Sequence, residues 1–337
     1  MTEEKNTKRK RSRRRPMFYL FLVIVAALAG LWFFGPREDT TTNIVLDEAT
    51  IGEDVDAYLA MREARYSDIR DSALKEVIWA FPQSKARTPA ALVFVHGFSA
   101  SKGEIRPVPD LAAEQLQANL FFTRLTGHGR SGGAMAEPSV QDWFDDVHEA
   151  IAIGEKLGEK VILVTVSTGG TLAALAATHP QLKDRIDGIV FISPNFKLNN
   201  STAWMLTAPF AETLIPMIVG PERGFEPKNE LHRELWTERY PTVALLPMAA
   251  AVKSAQTANY YNVTTPALFV FSENDQIVDH QMTRSIEEKW AGPTTIINVD
   301  DSDDAQNHVI AGDAISPSTT ERLAADIAQW VNTVVSE

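Results

Sequence analysis

Val161-Ile162-Leu163-Val164-Thr165-Val166-Ser167-Thr168-Gly169-Gly170-Thr171-Leu172-Ala173-Ala174-Leu175-Ala176-Ala177 decides how this chain is read. A run of β-branched and aliphatic residues stops at a serine. Two glycines follow, then an alanine-rich stretch of helical composition. The pattern is strand, sharp turn, helix, with Ser167 at the turn. Small residues let a helix start close against the strand it leaves. Such a turn lifts Oγ clear of the backbone and aims the next N–H groups at whatever the serine attacks. Taken alone, Ser-Thr-Gly-Gly also reads as an ordinary loop, so the test lies downstream.

A serine hydroxyl is a weak nucleophile at neutral pH. It needs a base, and the base needs a partner that fixes its tautomer. Residues 265–271 read as a buried strand that ends in Ser272-Glu273-Asn274-Asp275. Asp275 therefore falls just past the carboxyl end of a strand, where open α/β sheets place their sites. Residues 294–299 read as the next strand, and His308 is the only histidine after it. The order Ser167, Asp275, His308 is the nucleophile, acid, base order of α/β-hydrolases.

From about residue 73 onward the chain resembles an α/β-hydrolase of the esterase, monoacylglycerol-lipase and serine-aminopeptidase-like group. Four motifs carry the resemblance. Leu92-Val93-Phe94-Val95-His96-Gly97-Phe98 is similar to the strand and His-Gly oxyanion loop. Leu125-Thr126-Gly127-His128-Gly129-Arg130-Ser131 is similar to the glycine-rich loop after the following strand. Asp142-Trp143 with Asp146 is similar to the helix leading to the nucleophile strand, and Val166-Ser167-Thr168-Gly169-Gly170 to the nucleophile turn. The resemblance implies a mostly parallel α/β sheet flanked by helices. It implies a Ser167, Asp275, His308 triad, an oxyanion hole from the backbone N–H groups of Phe98 and Thr168, and no cofactor or metal. One position departs from Gly-x-Ser-x-Gly: the first glycine is Thr165, which adds bulk where strand and helix meet.

Other candidates read differently. His96 and His128 sit in the two loop motifs and read as loop-shaping residues. His280 reads as the start of a helix facing away. Asp279 is the rival to Asp275, but lies farther from the strand end and suits a helix cap. Trp143 and Asp146 read as helix packing and loop anchoring. Asp300, Asp301, Asp303 and Asp304 read as a solvated charge run.

The chain of 337 residues, 45% apolar, has material for one large domain. It has no cysteine, which excludes disulfides and thiolate metal sites. Net charge is −12, yet residues 1–16 hold eight basic side chains against Glu3 and Glu4. Met17 to Phe34 follows without a charge. As a helix it would span about 27 Å, near the hydrocarbon thickness of a bilayer. A basic head against such a span points to a membrane rather than to nucleic acid. Ala27-Leu28-Ala29 also fits a signal-peptide cleavage site before Gly30. The apolar run continues past it through Leu31-Trp32-Phe33-Phe34, which favours an uncleaved anchor. Positive-inside orientation then keeps the head in the cytoplasm and puts the acidic body across the membrane, periplasmic in a bacterial cell.

Residues 35–55 read as a linker, and residues 56–337 as the hydrolase domain, with residues 55–72 at helical spacing. Core strands are expected at 77–81, 91–95, 120–123, 161–166, 188–192, 267–271 and 295–299, and a closing helix at 318–335. Residues 195–261 break the strand and helix alternation and are rich in Trp, Met, Phe and Leu. They read as a cap over an apolar acyl pocket. The expected activity is a membrane-anchored serine hydrolase, carboxylesterase or lipase-like, acting on an acylglycerol, lysophospholipid or similar medium-chain ester. An aminopeptidase or amidase would need an acidic subsite, for which Glu222, Glu226 and Glu230 are available. A non-catalytic envelope binding protein on the same fold is the third possibility.

Overall fold

Strand β4 lies at the middle of the sheet, and the reason is in its sequence. A computed structural model describes residues 14–336. The strands are β1 (Glu76–Ile78), β2 (Thr88–Val95), β3 (Asn119–Phe122), β4 (Gly158–Val166) and β5 (Gly188–Ile192). After a small pair, β6 (Glu222–Gly224) with β7 (Arg239–Pro241), come β8 (Ala267–Phe271) and β9 (Thr294–Asn298). The main sheet runs β1-β3-β2-β4-β5-β8-β9, with only β1 antiparallel to its neighbour. Val164 of β4 pairs with Phe94 on one side and Val190 on the other. A parallel strand covered on both faces has no solvated side, so it reads as an unbroken apolar run rather than an alternation.

The helices are α1 (Arg14–Phe34), α2 (Val55–Glu63), α3 (Val108–Leu116), α4 (Val140–Leu157), α5 (Thr168–Thr178), α6 (Ala211–Val219), α7 (Glu230–Leu235), α8 (Leu245–Thr257), α9 (His280–Glu287) and α10 (Thr320–Ser336). Period-two alternation along β2 splits the core. Leu92 and Phe94 pack with α3 and α10, while Ala91, Val93 and Val95 pack with α4, α5 and α8. Ser139 and Asp142 form a reciprocal capping box at the start of α4, which fixes where the helix leading to β4 begins.

Several elements differ from the sequence expectation. The strand expected at 77–81 is only three residues long, because the chain turns at residues 81–85. The helix expected over 55–72 stops at Glu63. That side chain turns inward, accepts the Lys75 N–H at 3.0 Å and pairs with Arg124 at 2.7 Å. Within the expected linker, residues 43–46 touch the domain. Asn43 and Gln141 exchange backbone-to-amide hydrogen bonds of 2.7 and 2.9 Å, and Ile44 and Leu46 pack on the core. The insertion at 195–261 also divides. A 3-10 turn at Ala203–Thr207, α6, α7 and the β6–β7 pair precede α8, whose Met248, Ala251 and Val252 belong to the main core. Helix α1 includes Met17–Phe34, a segment long and apolar enough to cross a membrane and unburied along its length. Residues 1–13 of the basic head lie outside the described residues.

Candidate active site

Ser167 sits where β4 becomes α5, with φ 50° and ψ −113°. An L-residue adopts such a backbone only when its surroundings hold it. Four hydrogen bonds do so. Its N–H donates to Ile192 O at 3.0 Å, and its carbonyl accepts from Asn195, Gly170 and Thr171. Glycine is required at 169, since a Cβ there would lie 2.1 Å from Val95 O. Thr165, the departure from the nucleophile motif, is fully buried, and its Oγ1 donates to Val190 O at 2.9 Å. Its added bulk points along the β4–β5 edge with its polar atom satisfied, and the turn closes beside it.

The end of β8 and the loop after β9 bring the other two residues to this turn. His308 Nε2 lies 3.1 Å from Ser167 Oγ, and His308 Nδ1 lies 2.8 Å from Asp275 Oδ2. Asp275 is buried, and its Oδ1 accepts the N–H groups of Ile277 and Val278 at 2.7 and 2.9 Å. Both acceptor bonds fix the carboxylate so that Oδ2 faces the ring. With Nδ1–H donating to Asp275, Nε2 is left to accept from the serine hydroxyl. Burial alone would depress the His308 pKa. The charge and hydrogen bond of Asp275, helped by Glu104 and Asp304, outweigh it and raise the pKa above the ordinary 6.5. Asp279 takes a different part. It caps α9 by accepting the Gln281 N–H at 3.0 Å and pairs with Lys197 at 2.7 Å.

His96 and His128 are buried beside the site, with ring centroids 5.0 Å apart. His96 Nδ1–H donates to Gly97 O at 2.9 Å and Nε2 accepts the Leu125 N–H at 3.1 Å. Burial lowers its pKa to about 4. It is therefore a neutral ring that joins two loops. Asp146 accepts the Thr126 N–H at 2.5 Å, and Trp143 Nε1 donates to Thr126 O at 2.9 Å, so helix α4 pins the second loop. His280 begins α9, as its sequence position suggested. Phe98 and Thr168 both line the cleft with Ser167. Among the described residues neither backbone N–H has a protein hydrogen-bond acceptor.

The acidic run before His308 needs a correction. Asp301 pairs with Arg322 at the surface, but Asp304 is buried. Its Oδ2 accepts the N–H groups of His308 and Val309 at 3.1 and 3.0 Å, and its Oδ1 accepts that of Gln306 at 3.1 Å. It also pairs with Lys228 from the cap. A carboxylate that collects three loop N–H groups is better solvated inside the protein than the run of charges suggests.

Glu104 had no signal. It is buried, lines the cleft, and accepts the Gly97 N–H at 2.6 Å, one residue before Phe98. Burial pushes its pKa up to about 7, against the lowering effects of that hydrogen bond and of His308. The cleft itself holds about 480 Å³. Met205, Leu206, Ile215, Val219, Trp236 and Met248 make its apolar walls, all of them from residues 195–261. Of the three glutamates considered for an amine subsite, Glu226 lines the cleft mouth, Glu222 lies exposed on β6, and Glu230 pairs with Arg233.

Comparison with known proteins gives the same fold. A family described as serine aminopeptidase, S33, matches residues 86–299. A thermostable monoacylglycerol lipase of Bacillus sp. (strain H-257) is 29% identical over 191 residues, covering 56% of this chain and 72% of that protein. Among solved structures, one from the metagenome-derived lipolytic enzymes LipS and LipT superposes with a TM-score of 0.62 at 20% identity, covering 80% of this chain and 99% of that one. The Paleococcus ferrophilus monoacylglycerol lipase superposes at 0.54 with 19% identity, covering 78% and 98%. At those identities the structural likeness speaks for the fold alone. With the family match spanning most of the sheet and the nucleophile turn, this chain belongs to the serine aminopeptidase S33 family of α/β-hydrolases.

Proposed function

We propose that this protein is a membrane-anchored serine hydrolase that cleaves carboxylic esters of single medium-length acyl chains, such as monoacylglycerols or lysophospholipids. The observation that carries the reading is the hydrogen-bonded chain Ser167 Oγ, His308, Asp275 at the floor of an apolar cleft. In this reading Ser167 Oγ attacks the ester carbonyl carbon while its proton passes to His308 Nε2. The N–H groups of Phe98 and Thr168 bind the oxyanion, each contributing about 3–4 kcal/mol by analogy with similar donors. His308 then gives the proton to the leaving alcohol. Water, giving its proton to His308, attacks the acyl-enzyme; the bond to Ser167 Oγ then breaks, Oγ takes that proton back, and the acid is released. Asp275 holds the ring and stabilises the imidazolium. The relative named a monoacylglycerol lipase supports the acyl class. The apolar walls support it too, because they favour an alkyl chain.

An aminopeptidase reading has less in its favour. Glu226 is 91% exposed at the cleft mouth and faces Arg239 at 3.9 Å, so an ammonium group would meet a well-solvated, partly neutralised carboxylate. Assays of the purified full chain separate the readings. p-Nitrophenyl esters of increasing acyl length and a monoacylglycerol should be turned over, and aminoacyl anilides should not. Turnover of anilides at comparable rates would move the protein to the peptidase reading. Failure of a fluorophosphonate probe to label it would remove it from both.

The pH profile tests the base. His308 must be neutral to accept the serine proton, and its pKa is raised above 6.5. Activity is therefore full at high pH and is lost as pH falls through that raised value. We expect the acid limb of kcat/KM to have its midpoint above 6.5. Glu104→Gln should move it a little lower, because the neighbouring acid contributes to the rise. A midpoint near the ordinary carboxylate range would exclude His308 as the base.

A further inference from the structure

We propose that the outer face of α6, with Trp204, docks into the interfacial layer of the same bilayer that holds α1, so that the cleft receives acyl chains from that leaflet. The inference rests on the anchored-hydrolase reading and adds where the cap sits.

Helix α6 has two apolar faces. Ile215 is buried, and with Val219 it lines the cleft. Leu214, Met217 and Ile218 point outward, with Met217 77% exposed, and Trp204, in the 3-10 turn that packs against α6, is 59% exposed. Soluble surfaces seldom carry a contiguous apolar patch of this kind without a partner. One helix, roughly 10 Å thick, separates that patch from the cleft.

The anchor identifies the partner. The Phe210 N–H, at the start of α6, donates to Pro36 O at 2.8 Å. The rings of Trp32 and Trp204 are 6.3 Å apart. A Cβ on Gly35 would lie 2.6 Å from both Phe210 Cε2 and Pro209 Cβ, so only glycine lets the chain pass this close. A single residue, Gly35, thus separates the end of α1 from the segment bonded to the cap. Arg37 donates to the Trp32 carbonyl and lies 5.9 Å from the centre of the Trp32 ring. Tryptophan and arginine at a helix end are the residues that settle at headgroup level. With α1 in the bilayer, the cap has no slack with which to leave the interface. The sequence of α6 has no basic residue and one acid, Glu212, so the attraction is apolar and does not call for anionic lipid.

The chain has no cysteine, so single thiols can be placed cleanly. Full-length protein carrying Met217→Cys, labelled with an environment-sensitive fluorophore, is reconstituted in phosphatidylcholine vesicles containing spin-labelled lipid. Leu28→Cys reports the anchor, and Glu159→Cys, at the opposite end of β4 from Ser167, reports the body. We expect quenching at 217 and 28 but not at 159, unchanged in high salt. An unquenched 217 with a quenched 28 overturns the docking and leaves the anchor standing. If 28 is unquenched as well, the anchored reading falls with it. A second measurement uses Leu214→Ser/Met217→Ser/Ile218→Ser, none of which lines the cleft. Turnover of a soluble short-chain p-nitrophenyl ester should be unchanged, while hydrolysis of monoacylglycerol in the vesicles should fall about tenfold or more. Equal losses on both substrates, or none on either, would overturn the proposal.

Discussion

Ser167→Ala is expected to give a folded protein whose hydrolysis falls by about six orders of magnitude, the size of loss seen when a triad nucleophile is removed elsewhere. Oγ has one hydrogen-bond partner, His308 Nε2, so little packing goes with it. Alanine carries the same Cβ as serine at φ 50°, and the four backbone bonds that hold the turn do not involve the side chain. The melting temperature should therefore stay close to that of the parent. Turnover and thermal unfolding measured on one preparation check both halves. A folded variant that still turns over substrate at the parent rate would take the nucleophile role away from Ser167.

Asp275→Asn should cost roughly four orders of magnitude in turnover. The asparagine Oδ1 can keep the bonds from Ile277 and Val278, which leaves its NH2 group facing His308 Nδ1. Nδ1 must then accept, the ring proton moves to Nε2, and the face toward Ser167 can no longer take a proton. Asp279→Asn makes the comparison. Asparagine caps a helix as well as aspartate does. The lost pair with Lys197 is a partly exposed one worth less than about 1 kcal/mol. Activity at equal folded concentration should be nearly unchanged. Were Asp279→Asn the inactive variant, the acid would be misassigned, although the contact between Ser167 and His308 would stand.

What could be read in the sequence followed the physics of each element. β4, β5 and β8 are covered on both faces, so their apolar runs stood out, and the serine, aspartate and histidine each follow a strand end. The turn at Ser167 was visible because backbone strain demands particular small residues nearby. Glu104 and Asp304 were hidden for the opposite reason. Each is a carboxylate whose partners are loop N–H groups, and a loop's N–H directions exist only once the fold is formed. Helix α8 was grouped with the cap because an apolar, alanine-rich helix has the same composition whether it roofs a cleft or packs on α5. The core contacts made within the expected linker had no signal, because Ile44 and Leu46 are scattered among threonines and acids.

The left-handed backbone at Ser167 sets stability and chemistry against each other. Holding an L-residue in that region costs roughly 1–3 kcal/mol, and a glycine would relieve most of it. The fold alone would thus be better served by the residue that has no hydroxyl to offer. Drift under selection for stability alone would trade Ser167 for glycine, and a sturdier, inert scaffold would remain. Serine rather than glycine at this strained position is a cost to stability that the proposed turnover would offset.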